Sequence, residues 1–208
     1  MNKKTAKEIV GILSGVFPDK PALEFSTPYQ LLIAVILSAQ CTDARVNKVT
    51  ARLFQNYGTP EKMRKIPKEE LEKIIFSCGL YKTKAEHILK ATDDILNRFG
   101  GEVPGDREAL QSLAGVGRKT ANVVYSVAFH GNAIAVDTHV FRVSNRIGLV
   151  NAGNVLATEK GLMKILDEND WSRAHHYLIY LGRTYCKASK PDCAACPICE
   201  KCEKKIKR

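Results

Sequence analysis

No stretch of this sequence is apolar for long enough to cross a bilayer as a helix. The longest apolar run, LLIAVIL at Leu31–Leu37, falls far short of a membrane span and predicts a buried helix instead. The opening MNKKTAKEIVGIL mixes lysines with spaced apolar residues and has no continuous apolar core of a secretory signal. It predicts a cytoplasmic protein with no membrane partner. Paired strand patterns are also missing, since AIAV at 133–136 is short and has no partner run. There is no fixed-period repeat and no low-complexity segment, which excludes repeat architectures. Acidic residues are the scarcer charge: 22 Asp and Glu against 32 Lys and Arg leave a formal net charge of +10. With a pI near 9.3, that balance favours a polyanionic partner, nucleic acid first and an anionic membrane surface second.

What is present is helical period almost everywhere. Ile9, Ile12, Leu13 and Val16 fall at i, i+3, i+4 and i+7, with Pro18 and Pro21 beyond them. Pro28 opens a helix through LLIAVILSAQ, and Asp43 is placed to cap the next, striped by Val46, Val49, Leu53 and Tyr57. Further helices are predicted over KEELEKIIF, over 85–99, from Asp106, over 119–130, around Val140, Val143 and Ile147, over 155–166 and over 172–185. Roughly ten short helices without a strand pair make the chain all-α. At 208 residues it can form one domain or two small ones.

Three stretches carry chemistry. In LAGVGRKTANVV, Gly115-Val116-Gly117 forms a two-glycine hairpin between helical segments. Its backbone N–H groups and those of the next helix's first turn, at Arg118 and Thr120, can point at a phosphate. Lys119 stands at that positive helix end, either as an amine nucleophile beside bound DNA or as an ordinary solvated lysine. In IAVDTHVFRVSNRIGL, Asp137 can cap the helix from Thr138, a role compatible with catalysis, and His139 reads as structural or phosphate-adjacent. The tail holds Cys186, Cys193, Cys196 and Cys202 as C-x6-C-x2-C-x5-C. That spacing fits all-thiolate ligation of a [4Fe–4S] cluster. Cys199, which makes a C-x2-C with Cys196, leaves a zinc knuckle or free thiols as alternatives. Cys41 and Cys78 read as small buried hydrophobes inside helices, and His175 and His176 as helix-packing residues.

Together these stretches, with LLIAVILSAQCTDARVNKVT, GLYKTKA, GEVP and HHYLIYLGRTYC, resemble the bacterial endonuclease III family of the helix-hairpin-helix superfamily, in order and spacing from about Phe17 to Cys202. The resemblance implies an all-α helix-hairpin-helix DNA glycosylase fold of two helical lobes with a DNA groove between them. It implies a six-helix lobe over 22–132 and an iron–sulfur lobe made of 1–21 plus 133–208. It also implies a monomeric, nucleoid-associated enzyme of base excision repair. Such an enzyme removes oxidised pyrimidines from duplex DNA and cleaves at abasic sites by β-elimination. By the same resemblance Lys119 is the Schiff-base lysine, Asp137 the catalytic aspartate, and Gln40 and Leu80 the residues that fill the gap left by an extruded nucleotide. DNA contacts are implied at Gly115, Val116, Gly117, Arg118, Thr120, His139 and Lys190, and a [4Fe–4S] cluster on Cys186, Cys193, Cys196 and Cys202, with Cys199 left over. One departure is Ala114, where the family usually has proline. A mismatch adenine glycosylase would lack the lysine. A non-catalytic hairpin protein would need neither Lys119 nor Asp137.

Overall fold

The structure is a computed structural model that describes residues 1–206, so the last two residues of the basic KKIKR end, and of the lobe expected to run to 208, lie outside the described residues. Eleven α-helices follow in chain order: α1 Lys3–Ser14, α2 Pro28–Ser38, α3 Asp43–Tyr57, α4 Pro60–Met63, α5 Lys68–Ile75, α6 Tyr81–Arg98, α7 Arg107–Gln111, α8 Arg118–Ala128, α9 Thr138–Ile147, α10 Val155–Ile165 and α11 Trp171–Thr184. Two 3-10 turns, Phe76–Cys78 and Glu168–Asp170, complete the set, and no strand occurs among the described residues. Both 3-10 turns and the single-turn α4 are too short for periodicity to have marked. The chain divides into two compact units, Pro21–Gly131 and Met1–Lys20 joined with Asn132 onward.

In the continuous unit, α2 is apolar all round and buried from Leu31 to Leu37, which is why it sits at the centre with α3, α6 and α8 packed on it. Its ends are set by Thr27, whose hydroxyl accepts from the Gln30 N–H, and by Pro28 at the first helical position. Thr42, not Asp43, caps α3, because its side chain accepts the Arg45 N–H while Asp43 is already the first helical residue. Leu71 and Ile75 of α5 and Ala85, Ile88, Ala91 and Ile95 of α6 are buried, and Tyr29 and Thr92 bond hydroxyl to hydroxyl at 2.7 Å in the core.

In the discontinuous unit, α9 and α11 form the main contact, with α1 and α10 against them. Val140, Val143 and Ile147 bury one stripe of α9, and Leu178 and Leu181 one face of α11. Gly182 makes the crossing close: a Cβ there would lie 3.0 Å from Val143 Cγ2 and 3.2 Å from His139 Cβ. AIAV is an extended buried linker rather than a strand, as Ala133–Val136 are each at most 3% exposed. His175 and His176 are both buried, and His175 Nδ1 lies 2.7 Å from the Ala135 carbonyl.

Candidate functional site

The hairpin grows out of α7. Asp106 caps that helix by accepting the Ala109 N–H at 2.8 Å, and the turn beyond it is closed by Val116 N–H donating to Leu113 O at 3.2 Å. Leu110, Leu113 and Val116 are buried and fix the hairpin to the unit, leaving the glycines at the surface. The two glycines have different physical roles. Gly115 has φ +74°, and a Cβ there would stand 2.7 Å from the His87 Cβ, so both conformation and space exclude a side chain. Gly117 has φ −83° and ψ 177°, ordinary extended backbone, and a Cβ would meet nothing within 4 Å. What Gly117 contributes is a bare helix start: as the N-cap of α8 it has no side chain to place over the first-turn N–H groups of Arg118, Lys119 and Thr120. Lys119 is exposed on that turn, and the following residues Ala121, Val123 and Val124 anchor α8 in the core.

Gln40 and Leu80 occupy two loops of the same unit. Both are exposed and both take the left-handed conformation, at φ 54° and φ 49°, which costs a non-glycine residue on the order of 1 kcal/mol or more. Gln40 lies in the turn beyond α2 rather than inside that helix, and Leu80, 61% exposed, is the N-cap of α6. Cys41 also stands outside a helix, half-buried in the turn, hydrogen-bonded to the buried Cys78 of the 3-10 turn; burial, then Cys41, pushes the Cys78 thiol up to about 11. Between the two loops lies a residue that sequence reasoning passed over. Lys84, only 4% exposed, donates from Nζ to Leu37 O at 2.9 Å, Ala39 O at 2.7 Å and Cys78 O at 2.5 Å. Burial holds its ammonium below the usual lysine range.

In the other unit Asp137 caps α9. Its Oδ1 accepts from the His139 and Val140 N–H groups, both at 2.8 Å, while Oδ2 stands 3.4 Å from His139 Nδ1. One carboxylate oxygen is thus occupied by the helix start, and the other faces the half-buried side next to His139. The middle and last turn of α9 hold the cysteine loop. Arg142 donates to Gly182 O at 3.0 Å and to Cys186 O from both Nε and Nη2, and Arg146 donates to Lys187 O at 2.6 Å and Ala188 O at 2.9 Å. Burial, mainly, lowers the Arg142 guanidinium below its ordinary range. These two arginines, one helical turn apart in FRVSNRIGL, were not singled out from the sequence. Lys190 is exposed at φ 51° in the loop they hold.

Cys186, Cys193, Cys196 and Cys202, with Cys199, ring one small cavity of about 20 Å³ together with Ile147, Leu181 and Tyr185. Among the described residues no three His, Cys, Asp or Glu side chains form a metal-holding group. The donor set nevertheless fits an all-thiolate cluster: four cysteines in the required order line an apolar wall. Backbone and side-chain N–H groups already reach the sulfurs, Lys204 N to Cys202 Sγ at 3.3 Å and Arg146 Nη1 to Cys186 Sγ at 3.9 Å. Burial holds the Cys196 and Cys202 thiols above their ordinary range.

The structure therefore groups Gly115, Val116, Gly117, Arg118, Lys119 and Thr120 on one hairpin and first turn. It pairs Gln40 with Leu80 through Lys84, and joins Asp137 and His139 to the cysteine loop through α9. A glycine hairpin ahead of a glycine-capped helix start is an arrangement that can hold a phosphate backbone. The chain belongs to the HhH-GPD superfamily of base excision DNA repair proteins, whose family profile matches residues 33–168. Over 210 aligned residues it is 50% identical to endonuclease III of Bacillus subtilis (strain 168), covering 100% of this chain and 96% of that protein. A solved structure of a trapped covalent intermediate of endonuclease III with DNA superposes with a TM-score of 0.92 at 50% identity, covering 98% of this chain and 97% of the other. A thermostable thymine-DNA glycosylase superposes with a TM-score of 0.84 at 28% identity, with 96% of each chain covered. A base-excision DNA glycosylase with abasic-site lyase activity is the enzyme class to which this membership assigns the chain.

Proposed function

We propose that this chain removes oxidised pyrimidines from duplex DNA and cleaves the resulting abasic site, with Lys119 as nucleophile and Asp137 as its carboxylate partner. The observation that carries the reading is the exposed Lys119 on the first turn of a helix whose N-cap is a bare glycine. A phosphate can approach such a helix start closely at the positive end of its dipole, which brings the sugar–phosphate backbone to the amine. Val116 and the flanking Gly115, Gly117, Arg118 and Thr120 are the hairpin's share of that backbone contact; His139 and Lys190 are contacts from the other unit. The net charge of +10 supports duplex DNA as the partner of a monomer acting in the cytoplasm, at the nucleoid. Among the described residues no helix is long and apolar enough to cross a membrane.

A stacked nucleotide cannot be attacked at C1′, so it is first rotated out, at a cost of a few kcal/mol that a damaged base reduces. Gln40 and Leu80 enter the gap and offset part of that cost. The neutral Lys119 amine forms a bond to C1′ as the bond from C1′ to the base breaks, and the base leaves with the bonding pair as an anion that takes a proton from solvent. Asp137, through the carboxylate oxygen not held by the α9 cap, stabilises the positive charge that develops on the sugar and takes the proton from the attacking amine. The sugar ring opens to a Schiff base, and loss of a C2′ proton then expels the 3′ phosphate and cuts the strand. Cys186, Cys193, Cys196 and Cys202 would hold a [4Fe–4S] cluster, which would brace the loop carrying Lys190; Cys199 lines the same cavity without a part in that ligand set.

Borohydride reduction tests this directly. Wild-type protein on duplex DNA carrying thymine glycol is expected to yield a covalent protein–DNA band that Lys119→Ala abolishes while retaining DNA affinity. Base release without a trapped band would instead make the chain a monofunctional glycosylase, and binding with neither would sink the lyase assignment on this lesion.

A further inference from the structure

We infer that Lys84 is a positioning residue for nucleotide extrusion: its buried ammonium clasps the Gln40 loop to the Leu80 loop so that both side chains enter the DNA gap as one rigid wedge. The inference rests on the reading of Gln40 and Leu80 as gap-filling residues and deepens it. A lysine is rarely buried, and when it is, a carboxylate is the expected partner. The three donors of Lys84 go instead to three backbone carbonyls, Leu37 O, Ala39 O and Cys78 O, which exhausts the hydrogen-bonding capacity of the group. Two of those carbonyls belong to the end of α2 and its turn, and the third to the 3-10 turn before α6. Segments separated by some forty residues in sequence are thereby fixed to one nitrogen, with Ala39 O and Cys78 O no more than about 5 Å apart.

The position of the clasp gives it a function beyond general stability. Ala39 immediately precedes Gln40, and Cys78 is two residues before Leu80. Both of those side chains are exposed on left-handed backbone that a chain does not adopt unless its surroundings impose it. Lys84 imposes it from both sides. Its own N–H also donates to Leu80 O at 3.0 Å, so the residue that holds the loops begins the helix that Leu80 caps. Without the ammonium, three carbonyls lose their donor, those of Leu37 and Cys78 in buried bonds, and the two tips can move independently. A wedge whose two tips move independently inserts poorly, and misplacement by about 1 Å can cost a reaction on the order of a hundredfold.

The test separates extrusion from chemistry by using a substrate that needs no extrusion. The full-length protein with its cluster is assayed for cleavage of an abasic strand in duplex and of the same strand alone. The variants are Lys84→Met and the double variant Gln40→Ala/Leu80→Ala. For Lys84→Met the expected result is a loss of about 10- to 100-fold on the duplex, with single-strand cleavage unchanged. 2-Aminopurine opposite the abasic site is expected to show a weaker change in fluorescence on binding. Equal loss on both substrates would overturn the inference, since Lys84 would then support the unit as a whole. Full duplex activity in Lys84→Met would overturn it as well. The double variant keeps the two readings apart. If it loses duplex cleavage selectively while Lys84→Met does not, the wedge stands and the clasp falls. If it keeps duplex cleavage, the wedge itself falls and the clasp with it.

Discussion

His176 gives this fold a specific acid sensitivity. The side chain lies on α11 at 4% exposure, edge-on to His175 with ring centroids 4.8 Å apart, and burial, followed by the neighbouring His175, pushes its pKa down from 6.5 to about 3. The folded protein therefore keeps the ring neutral where the unfolded chain protonates it. A pKa depressed on folding leaves stability intact above the unfolded value of 6.5 and erodes it as pH falls from there toward 3. The slope for one proton is about 1.4 kcal/mol per pH unit, so the loss between pH 7 and pH 5 is about 2 kcal/mol, or roughly a 30-fold drop in the folded-to-unfolded ratio. Urea unfolding followed by tryptophan fluorescence measures this where it occurs, because the single tryptophan, Trp171, begins the same helix. The whole protein's pH dependence has other contributions, so the quantity to read is a difference. Wild type is expected to lose about 2 kcal/mol more than His176→Gln over that interval. Parallel pH profiles for the two proteins would refute the reasoning and show that the buried ring is protonated without cost.

Asp137→Asn is expected to keep the α9 cap, since an amide oxygen can accept the His139 and Val140 N–H groups, while strand cleavage falls by a hundredfold or more on the order of a lost catalytic carboxylate. Asp137→Ala should add a stability loss of about 1 kcal/mol, read as a shift in the urea midpoint. Gly115→Ala forces a side chain onto the His87 ring at a positive φ, so a destabilisation of about 1–3 kcal/mol and weaker binding to abasic duplex are expected, measured by thermal melting and fluorescence anisotropy. Gly117→Ala, with open space around it, should leave stability unchanged and reduce DNA affinity alone. Arg146→Ala removes donors to Lys187 O and Ala188 O, and should release the cysteine loop to faster hydrogen exchange and to proteolysis.

The longer helices were legible because they announce themselves locally, by a stripe of apolar residues, a proline at the start or a glycine at the end; the single-turn α4 does not. The hairpin and the cysteine spacing were legible for the same reason, as short motifs with fixed geometry. Lys84 was invisible because nothing near it in sequence distinguishes it from Lys82, which is exposed; its acceptors Leu37 and Ala39 lie in another helix and its turn. Arg142 and Arg146 escaped for a related reason, since their partners are main-chain carbonyls, which every residue possesses and no motif records. The caps show a finer limit: Thr42 and Asp43 are both good capping residues, and only the backbone angle, φ −77° and ψ 146° at Thr42, decides between them. Gly115 and Gly117 look alike in the sequence, yet one is required by its conformation and the other by the emptiness it leaves.

Helix α9 has the proposed catalytic carboxylate as its N-cap, and two arginines, Arg142 at its middle and Arg146 in its last turn, grip the cysteine loop. Ten residues of helix make a rod about 15 Å long, stiff in compression and in torsion, and Gly182 seats it against α11 with no slack between them. A loop clamped to the far end of such a rod acts on the near end as an anchor acts on a lever, by limiting its excursions. The cysteine loop thus governs how far Asp137 can wander without ever having to touch a substrate.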